Sequence, residues 1–368
     1  MPASHAHVTS HHQPWVVADI GGTHARFAWV DQAGHAVQQV QTLPTTEFSG
    51  PAQAMQHYLA QLPAEHQHRA QEQGLCAAWA LATAVDGDWL EMTNARWRFS
   101  RHAEQQRLGL QALRVFNDFE ALAWSLPHLG PAQLRSWDDR WPSLQGPLAV
   151  IGPGTGLGVA GMMPTAPAGA AGASGWAALP GEGGHMTLAV HDDFEAALLQ
   201  RARQQWPHVS AERLLSGIGL PLLHRCVCEV NGWPLPPLHA VQATTPDIMA
   251  AGLAGEAAAQ RTLQVFCAML GGFAGNVALT LGARGGVYIG GGLVPRLGDF
   301  FFASDFRQRF EHKGRFAPYL QDIPTVVITD TLAALCGVSA AVGSVAGSAV
   351  GSAVGAVAGA AGQVLPST

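Results

Sequence analysis

The chain has 368 residues, enough for two domains or for one large α/β unit with a second lobe. Its net charge is −6 and it has no cluster of basic residues, which argues against nucleic acid as the main partner. Five scattered cysteines form no disulfide framework, so a reducing cytoplasm fits better than an oxidising compartment.

The first recognisable element is a predicted β-hairpin at Val16–Val30, preceded by a histidine-rich stretch that we expect to be a disordered lead-in. Paired glycines at its turn leave backbone N–H groups open to an anion. Asp19 is a carboxylate in a strand that otherwise looks buried. Beside a phosphate it requires a cation between them, most simply hydrated Mg²⁺. The alternative is a glycine turn between core strands, with Asp19 capping its backbone.

Strands alternate with helices from there to residue 125, which predicts a mainly parallel sheet. The intervening polar stretch, residues 86–100, is rich in turn residues and contains Asn94. The predicted elements are a strand at Val37–Leu43, a helix at Ala52–Leu62, a strand at Leu75–Thr83, a helix at Gln105–Gly109, a strand at Leu113–Phe116 and a helix at Phe119–Ser125.

Asn117 and Asp118 lie where a strand passes into a helix, the usual position of active-site groups in open α/β sheets. Phosphoryl transfer to an alcohol needs a carboxylate close to the attacking hydroxyl, and Asp118 beside an amide meets that need. Both residue types are also favoured helix N-caps, which is the alternative interpretation.

Two further glycine turns follow the domain crossing that we predict within Pro127–Pro147. One is Gly154–Gly156 in a second hairpin, and the other is Gly290–Gly292 after a strand. Glycine turns at three strand ends indicate one nucleotide held from several sides. Lys313 is the single lysine and lies in none of these turns, so a P-loop or protein-kinase lysine is excluded.

Three more polar residues complete the candidate set: Glu182 and His185 on a glycine-rich loop, and Glu212. Separately they could be a solvated loop pair and a first-turn helix residue. Together with Asn117 and Asp118 they suit a polyol, because each carboxylate can accept hydrogen bonds from two neighbouring hydroxyls.

The rest of the second half is predicted to be largely helical. We expect a helix from Asp192, two segments within Ala250–Leu281 joined near Gly271 and Gly272, a helix at Phe300–Phe310 and a last strand at Pro324–Thr329. From residue 342 a low-complexity tail repeats glycine every fourth residue. Such spacing can pair membrane helices, but the tail lacks large apolar residues, so we predict no membrane span.

Seven motifs occur in order: ADIGGT, FNDFEALAWSLP, GPGTGLGVA, LPGEGGH, ERLLSGIGL, IGGGLVPR and FRQRFEHKGRF. In this order they resemble the bacterial glucokinase family of the hexokinase/actin-like ATPase superfamily, from Val16 to Val338. The resemblance implies a two-domain α/β fold of ribonuclease H-like type, with a small α/β domain, a larger α+β domain, a cleft between them and a homodimer. The implied domains are 14–128 with about 326–341, and 129–325.

The resemblance also implies site residues. ATP contacts would come from Ala18, Asp19, Ile20, Gly21, Gly22, Thr23, Gly154, Thr155, Gly156, Gly290, Gly291 and Gly292. Glucose contacts would come from Asn94, Asn117, Asp118, Glu182, His185 and Glu212. Asp118 would be the general base, and Asp19 would bind Mg²⁺ through water.

Three features depart from the family pattern: His24 where the family usually has asparagine, the Pro164–Ser174 insertion, and the tail. The cysteine-rich zinc motif of the related repressor/kinase group does not follow His185, so we predict no structural zinc. The sequence thus predicts a cytoplasmic ATP-dependent glucose kinase. A kinase for another hexose and a non-catalytic sugar sensor on the same fold remain as alternatives.

Overall fold

The computed structural model describes residues 13–92, 96–165, 175–234 and 243–344. Asn94, most of the 164–174 insertion and the tail beyond residue 344 lie outside the described residues. Within its described residues the chain divides into two compact units, one that runs to residue 125 and resumes at 332, and one at residues 126–331. Each unit contains its own sheet and its own hydrophobic core.

The first unit is built on a five-stranded sheet of order β3-β2-β1-β4-β7, with a separate hairpin formed by β5 and β6. Its strands are β1 Trp15–Ile20, β2 His24–Val30, β3 Gln38–Pro44, β4 Cys76–Leu81, β5 Trp89–Glu91, β6 Arg98–Ser100 and β7 Ala112–Asn117. Its helices up to the crossing are α1 Pro51–Gln61, α2 Ala64–Gln73, α3 Arg101–Arg107 and α4 Asp118–Ser125.

This sheet is mixed, whereas a mainly parallel one was expected. Strands β1, β4 and β7 run parallel, and β2 and β3 extend the sheet antiparallel to them. The parallel centre is buried, since every residue of β4 is buried. The predicted opening hairpin is confirmed, because β1 and β2 pair antiparallel around the glycine turn.

The second unit is built on a six-stranded sheet of order β11-β10-β9-β12-β13-β8. Its strands are β8 Leu134–Ser136, β9 Leu148–Pro153, β10 Leu157–Pro164, β11 Trp176–Gly181, β12 Gly286–Ile289 and β13 Thr325–Ile328. Its helices are α5 Asp193–Arg203, α6 Leu220–Asn231, α7 Thr245–Leu253, α8 Ala257–Leu281, α9 Val294–Leu297, α10 Asp299–Phe302, α11 Phe306–Glu311 and α12 Ala317–Gln321.

Helix α8 corrects one prediction about glycine. The break expected near Gly271 and Gly272 does not occur there, and the interruption between the two segments lies at residues 254–256. A Cβ on Gly271 would lie 2.1 Å from the carbonyl oxygen of Phe306. The glycine therefore stays helical and lets α11 approach the backbone of α8 closely.

Among the described residues, α8 is the one helix that is long and apolar enough to cross a membrane. The most apolar 18-residue stretch of this helix is 78% buried inside the protein, as expected for the central helix of a folded core.

The predicted single helix at Phe300–Phe310 is wrong: α10 and α11 are separated by a break at residues 303–305.

The crossings between the units also differ from the expected positions. The first unit ends at Ser125, and the chain returns to it at Leu332 rather than at about 326. The reason is β13, which pairs with β12 and β8 and therefore belongs to the second sheet.

The chain ends, within its described part, in an apolar helix, α13, at Ala333–Ser344. It packs closely on α4, because a Cβ on Gly337 would lie 1.8 Å from the carbonyl oxygen of Ala121. Val342 is 1% exposed, so the predicted tail boundary after Ala341 would cut a packed helix.

Truncation after Ser344 should therefore be tolerated, whereas truncation after Ala341 should not. A chain ending at Ser344 should unfold at the temperature of the full chain, whereas one ending at Ala341 should be less stable because it loses the buried Val342 side chain. Burial of a valine contributes about 1.5–3 kcal/mol. Thermal melts monitored by circular dichroism compare the three chains, and equal melting temperatures for the two truncations would contradict the packing of α13.

Candidate active site

The turn of the first hairpin is anchored by the residue that follows β3. Thr45 donates its N–H to the carbonyl oxygen of Thr23 and its hydroxyl to that of Gly22, at 3.0 and 2.8 Å. Among the described residues, no group accepts a hydrogen bond from the N–H of Gly22 or of Thr23. The turn thus holds its carbonyl groups fixed and presents N–H groups that can bind an anion.

Asp19 lies at the end of β1, beside this turn, and the cross-strand neighbour is Arg26 on β2. Their side chains form an ion pair with 3.4 Å between Nη1 and Oδ2. Burial raises the pKa of Asp19, and the guanidinium of Arg26 opposes that shift. Arg26 is not among the site residues predicted from the sequence, although the hairpin register alone places it opposite Asp19.

Asn117 and Asp118 lie at the same edge of the first sheet as Asp19. Ile20 is paired with Leu81 in the parallel ladder, and Leu81 is paired with Asn117. Neighbouring strands lie about 4.8 Å apart, so the hairpin turn and Asn117 are separated by roughly 10 Å along the sheet.

Asn117 caps helix α4. Its Oδ1 accepts hydrogen bonds from the N–H groups of Phe119 and Glu120, and its Nδ2 donates to the carbonyl oxygen of Thr83. Asp118 is the first residue of the helix, and its Oδ1 accepts from the N–H of Phe119 at 3.0 Å. The capping interpretation therefore holds for Asn117, and these bonds fix the position from which Asp118 extends.

In the second unit, the two remaining glycine segments lie side by side. Strands β9 and β12 are parallel neighbours, so the turn that follows each is at the same edge. The N–H of Gly290 donates to the carbonyl oxygen of Ile151, and that of Leu293 to Pro153. Gly291 has φ +75°, and a Cβ there would lie 2.5 Å from the carbonyl oxygen of Pro153. Only glycine fits this close approach.

Glu182, His185 and Glu212 form one cluster. His185 Nε2 lies 3.7 Å from Glu182 Oε2, and His185 Nδ1 lies 4.0 Å from Glu212 Oε1. The backbone holds the cluster together, since the N–H of His185 donates to the carbonyl oxygen of Glu182 and the N–H of Glu212 donates to that of Gly184. The carboxylate of Glu182 and the imidazole are exposed, which leaves them accessible to a ligand.

Glu212 is not a first-turn helix residue, since it precedes α6 in a segment of turns. Its Oε2 accepts a hydrogen bond from the N–H of Leu157 at 2.9 Å. The acidic cluster is therefore attached directly to the hairpin formed by β9 and β10.

Lys313 has a structural position, in keeping with its exclusion from the phosphate site. Its ammonium donates to the carbonyl oxygen of Gly272 at 2.8 Å, and burial lowers the pKa of Lys313. Among the described residues, no group of three or more His, Cys, Asp and Glu side chains could hold a metal ion.

Comparison with known proteins decides the family. The glucokinase family model matches residues 16–344. The glucokinase of Paramagnetospirillum magneticum is 46% identical over 329 residues, which cover 89% of this chain and 97% of that protein. The chain belongs to the glucokinase family. The predicted family is confirmed, and with it the kinase and transferase class of the protein.

Solved structures agree with this membership. A glucokinase from an Antarctic psychrotroph is 33% identical, with a TM-score of 0.76 over 90% of this chain and 98% of that one. A ROK family glucokinase from Streptomyces griseus, in complex with glucose and AMPPNP, has a TM-score of 0.54 at 17% identity over 89% of this chain and 98% of that one. The latter likeness concerns the fold alone. The predicted two-domain actin-like ATPase fold class is confirmed.

Proposed function

We propose that this member of the glucokinase family transfers the γ-phosphoryl group of ATP to the 6-hydroxyl of D-glucose. The observation that carries the proposal is the junction of the acidic cluster with a glycine turn. Glu182, His185 and Glu212 lie together, and Glu212 is hydrogen-bonded to the strand that begins at the Gly154–Gly156 turn. A polyol site and a phosphate site are thus parts of one framework.

The nucleotide would be held mainly by backbone groups. The turns at Gly21–Thr23 and Gly154–Gly156 would hold the phosphates, and Gly290–Gly292 would line the adenosine side, where glycine allows the backbone to approach the nucleotide closely. Ala18, Asp19 and Ile20 complete the first of these segments. Electrostatic stabilisation by such fixed dipoles is the main means of catalysing phosphoryl transfer.

Asp19 fits a magnesium ion that is held mostly by phosphate and water. It is a partly buried carboxylate whose pKa is raised by desolvation, so a second cation near it would be stabilising. Mg²⁺ usually keeps several waters and takes one or two protein carboxylates, so Asp19 alone can supply the protein's contact to such an ion. When bound, the ion would neutralise charge on the phosphates.

Asp118 is proposed as the general base. Its carboxylate would accept the proton of the 6-hydroxyl as the new P–O bond forms, which is a contribution of roughly 10²–10⁴ in rate. Asn94, Asn117, Glu182, His185 and Glu212 would bind the other hydroxyls. A site built from such acceptors can discriminate against a sugar with a missing or inverted hydroxyl by roughly 10⁴ in kcat/KM.

The protein would act in the cytoplasm as a homodimer.

A coupled kinase assay with ATP tests the substrate. Glucose should give the highest kcat/KM among glucose, mannose and fructose, and chelation of divalent metal should abolish turnover. A higher kcat/KM for another hexose would identify that hexose as the preferred substrate and contradict the assignment of glucose. Glucose binding without any phosphorylation would instead favour a sugar sensor.

A further inference from the structure

Strand β10 begins with an N–H group that is satisfied by a side chain. Leu157 is paired with Pro153 in the antiparallel ladder, and the carbonyl oxygen of Pro153 accepts from the N–H of Leu293. The N–H of Leu157 donates instead to Oε2 of Glu212, at 2.9 Å. The other carboxylate oxygen, Oε1, lies on the side of His185. One side chain therefore contacts both the hairpin and the acidic cluster.

The segment that follows Glu212 makes a second set of hydrogen bonds to the same hairpin turn. The N–H groups of Gly217 and Ile218 donate to the carbonyl oxygens of Gly154 and Thr155, at 2.8 and 3.1 Å. The contact is close, since a Cβ on Gly217 would lie 2.8 Å from the carbonyl oxygen of Gly154. The turn is thus fixed at residues 154–155 by backbone and at Leu157 by a carboxylate, both from residues 212–218.

We infer that Glu212 is a positioning residue that couples sugar binding to the shape of the Gly154–Gly156 turn. The inference rests on the proposed function, because it takes the cluster to bind glucose and the turn to bind the ATP phosphates. A glucose that fixes the carboxylate of Glu212 also fixes the start of β10 and the turn before it. Coupling of this kind is reciprocal, so a nucleotide bound at the turn must change glucose affinity by the same factor as glucose changes nucleotide affinity.

Two glycines of the turn provide a matched test. A Cβ on Gly156 would lie 2.4 Å from Oε2 of Glu212, whereas a Cβ on Gly154 would meet nothing within 4 Å. Neither glycine has a left-handed backbone, so alanine introduces no backbone strain at either position. Gly156→Ala therefore displaces the carboxylate, and Gly154→Ala adds the same methyl group without touching it.

The first measurement is glucose affinity by calorimetry in the absence of nucleotide. Gly156→Ala should weaken glucose binding by roughly tenfold or more, the usual effect of losing one hydrogen bond to a charged group. Gly154→Ala should bind glucose within about twofold of the wild type, within the spread of small surface effects. A substitution in the proposed nucleotide-binding turn would then change glucose affinity in the absence of nucleotide.

The second measurement is the factor by which saturating glucose strengthens binding of AMPPNP with Mg²⁺. Glu212→Asp keeps the charge but is one methylene too short to reach both sides, so this factor should fall towards one. A circular dichroism melt checks that each variant is folded. If Gly156→Ala does not fold, the Glu212→Asp measurement decides alone.

The outcomes separate the inference from the proposed function. Equal glucose affinities for the two alanine variants, whether both normal or both weakened, would overturn the role of Glu212. A wild-type coupling factor that persists in Glu212→Asp would overturn it as well. In either case a wild-type chain that phosphorylates glucose leaves the proposed function intact, whereas a wild-type chain that does not bind glucose refutes the function itself.

Discussion

Replacing Asp118 with asparagine should reduce turnover at saturating glucose and ATP by roughly 10²–10⁴, the range for a lost general base. The amide keeps the size of the side chain, and its oxygen can still accept the hydrogen bond from the N–H of Phe119. It cannot accept a proton from the 6-hydroxyl. The start of α4 should therefore stay in place, so that the loss falls on kcat and glucose affinity changes little.

The matched control is Glu182→Gln, which makes the same carboxylate-to-amide change elsewhere in the proposed site. Glu182 is exposed and is proposed to contact other hydroxyls, so the expected loss is mainly in KM for glucose. Asn117→Ala is a poorer control, because it removes the cap of α4 as well as a sugar ligand, and loss of a cap costs about 0.5–2 kcal/mol.

Steady-state kinetics of the two purified variants make the comparison. If folded Asp118→Asn retained more than about a tenth of wild-type turnover, which is above what loss of a base allows, the assignment of Asp118 would be wrong. The Asn117–Asp118 pair would then be simply the beginning of a helix.

The parts of the site that the sequence predicted are those with local signals. Two β-rich runs around paired glycines are a local signal for a hairpin, and β1 and β2 do pair antiparallel around this turn. The position of Asn117 and Asp118 at a strand end is likewise local, because β7 runs directly into α4. The parallel register of β1, β4 and β7 then brings the hairpin turn and Asn117 to one edge.

The parts that could not be predicted depend on contacts between distant segments. The bond from Leu157 to Glu212 joins residues far apart in the chain, and no short motif encodes it. Helix α2 was missed because it has no buried residue, so it lacks the apolar spacing by which the other helices were identified. Gly271 and Gly272 predict a break in α8 because the conformational cost of glycine in a helix can be judged from the sequence. The close packing of α11 on Gly271, which requires a residue without a side chain, cannot be judged in that way.

Gly271 and Gly272 should respond in opposite directions to the same substitution. A Cβ on Gly271 would lie 2.1 Å from the carbonyl oxygen of Phe306, and backbone cannot move aside without shifting α11. A Cβ on Gly272 would come no closer than 3.9 Å, to Nη2 of Arg309. Gly271→Ala should therefore destabilise the protein by about 1–3 kcal/mol, the usual cost of overpacking a core.

Gly272→Ala should instead stabilise α8 by about 0.5–1 kcal/mol, because alanine loses less conformational freedom than glycine in a helix. Its backbone carbonyl still accepts the hydrogen bond from Lys313. Urea unfolding of the two variants and the wild type, followed by circular dichroism, gives the three free energies. A stability loss for Gly272→Ala equal to that of Gly271→Ala would mean that glycine is required there for flexibility, and the close contact between α8 and α11 would no longer explain why Gly271 is glycine.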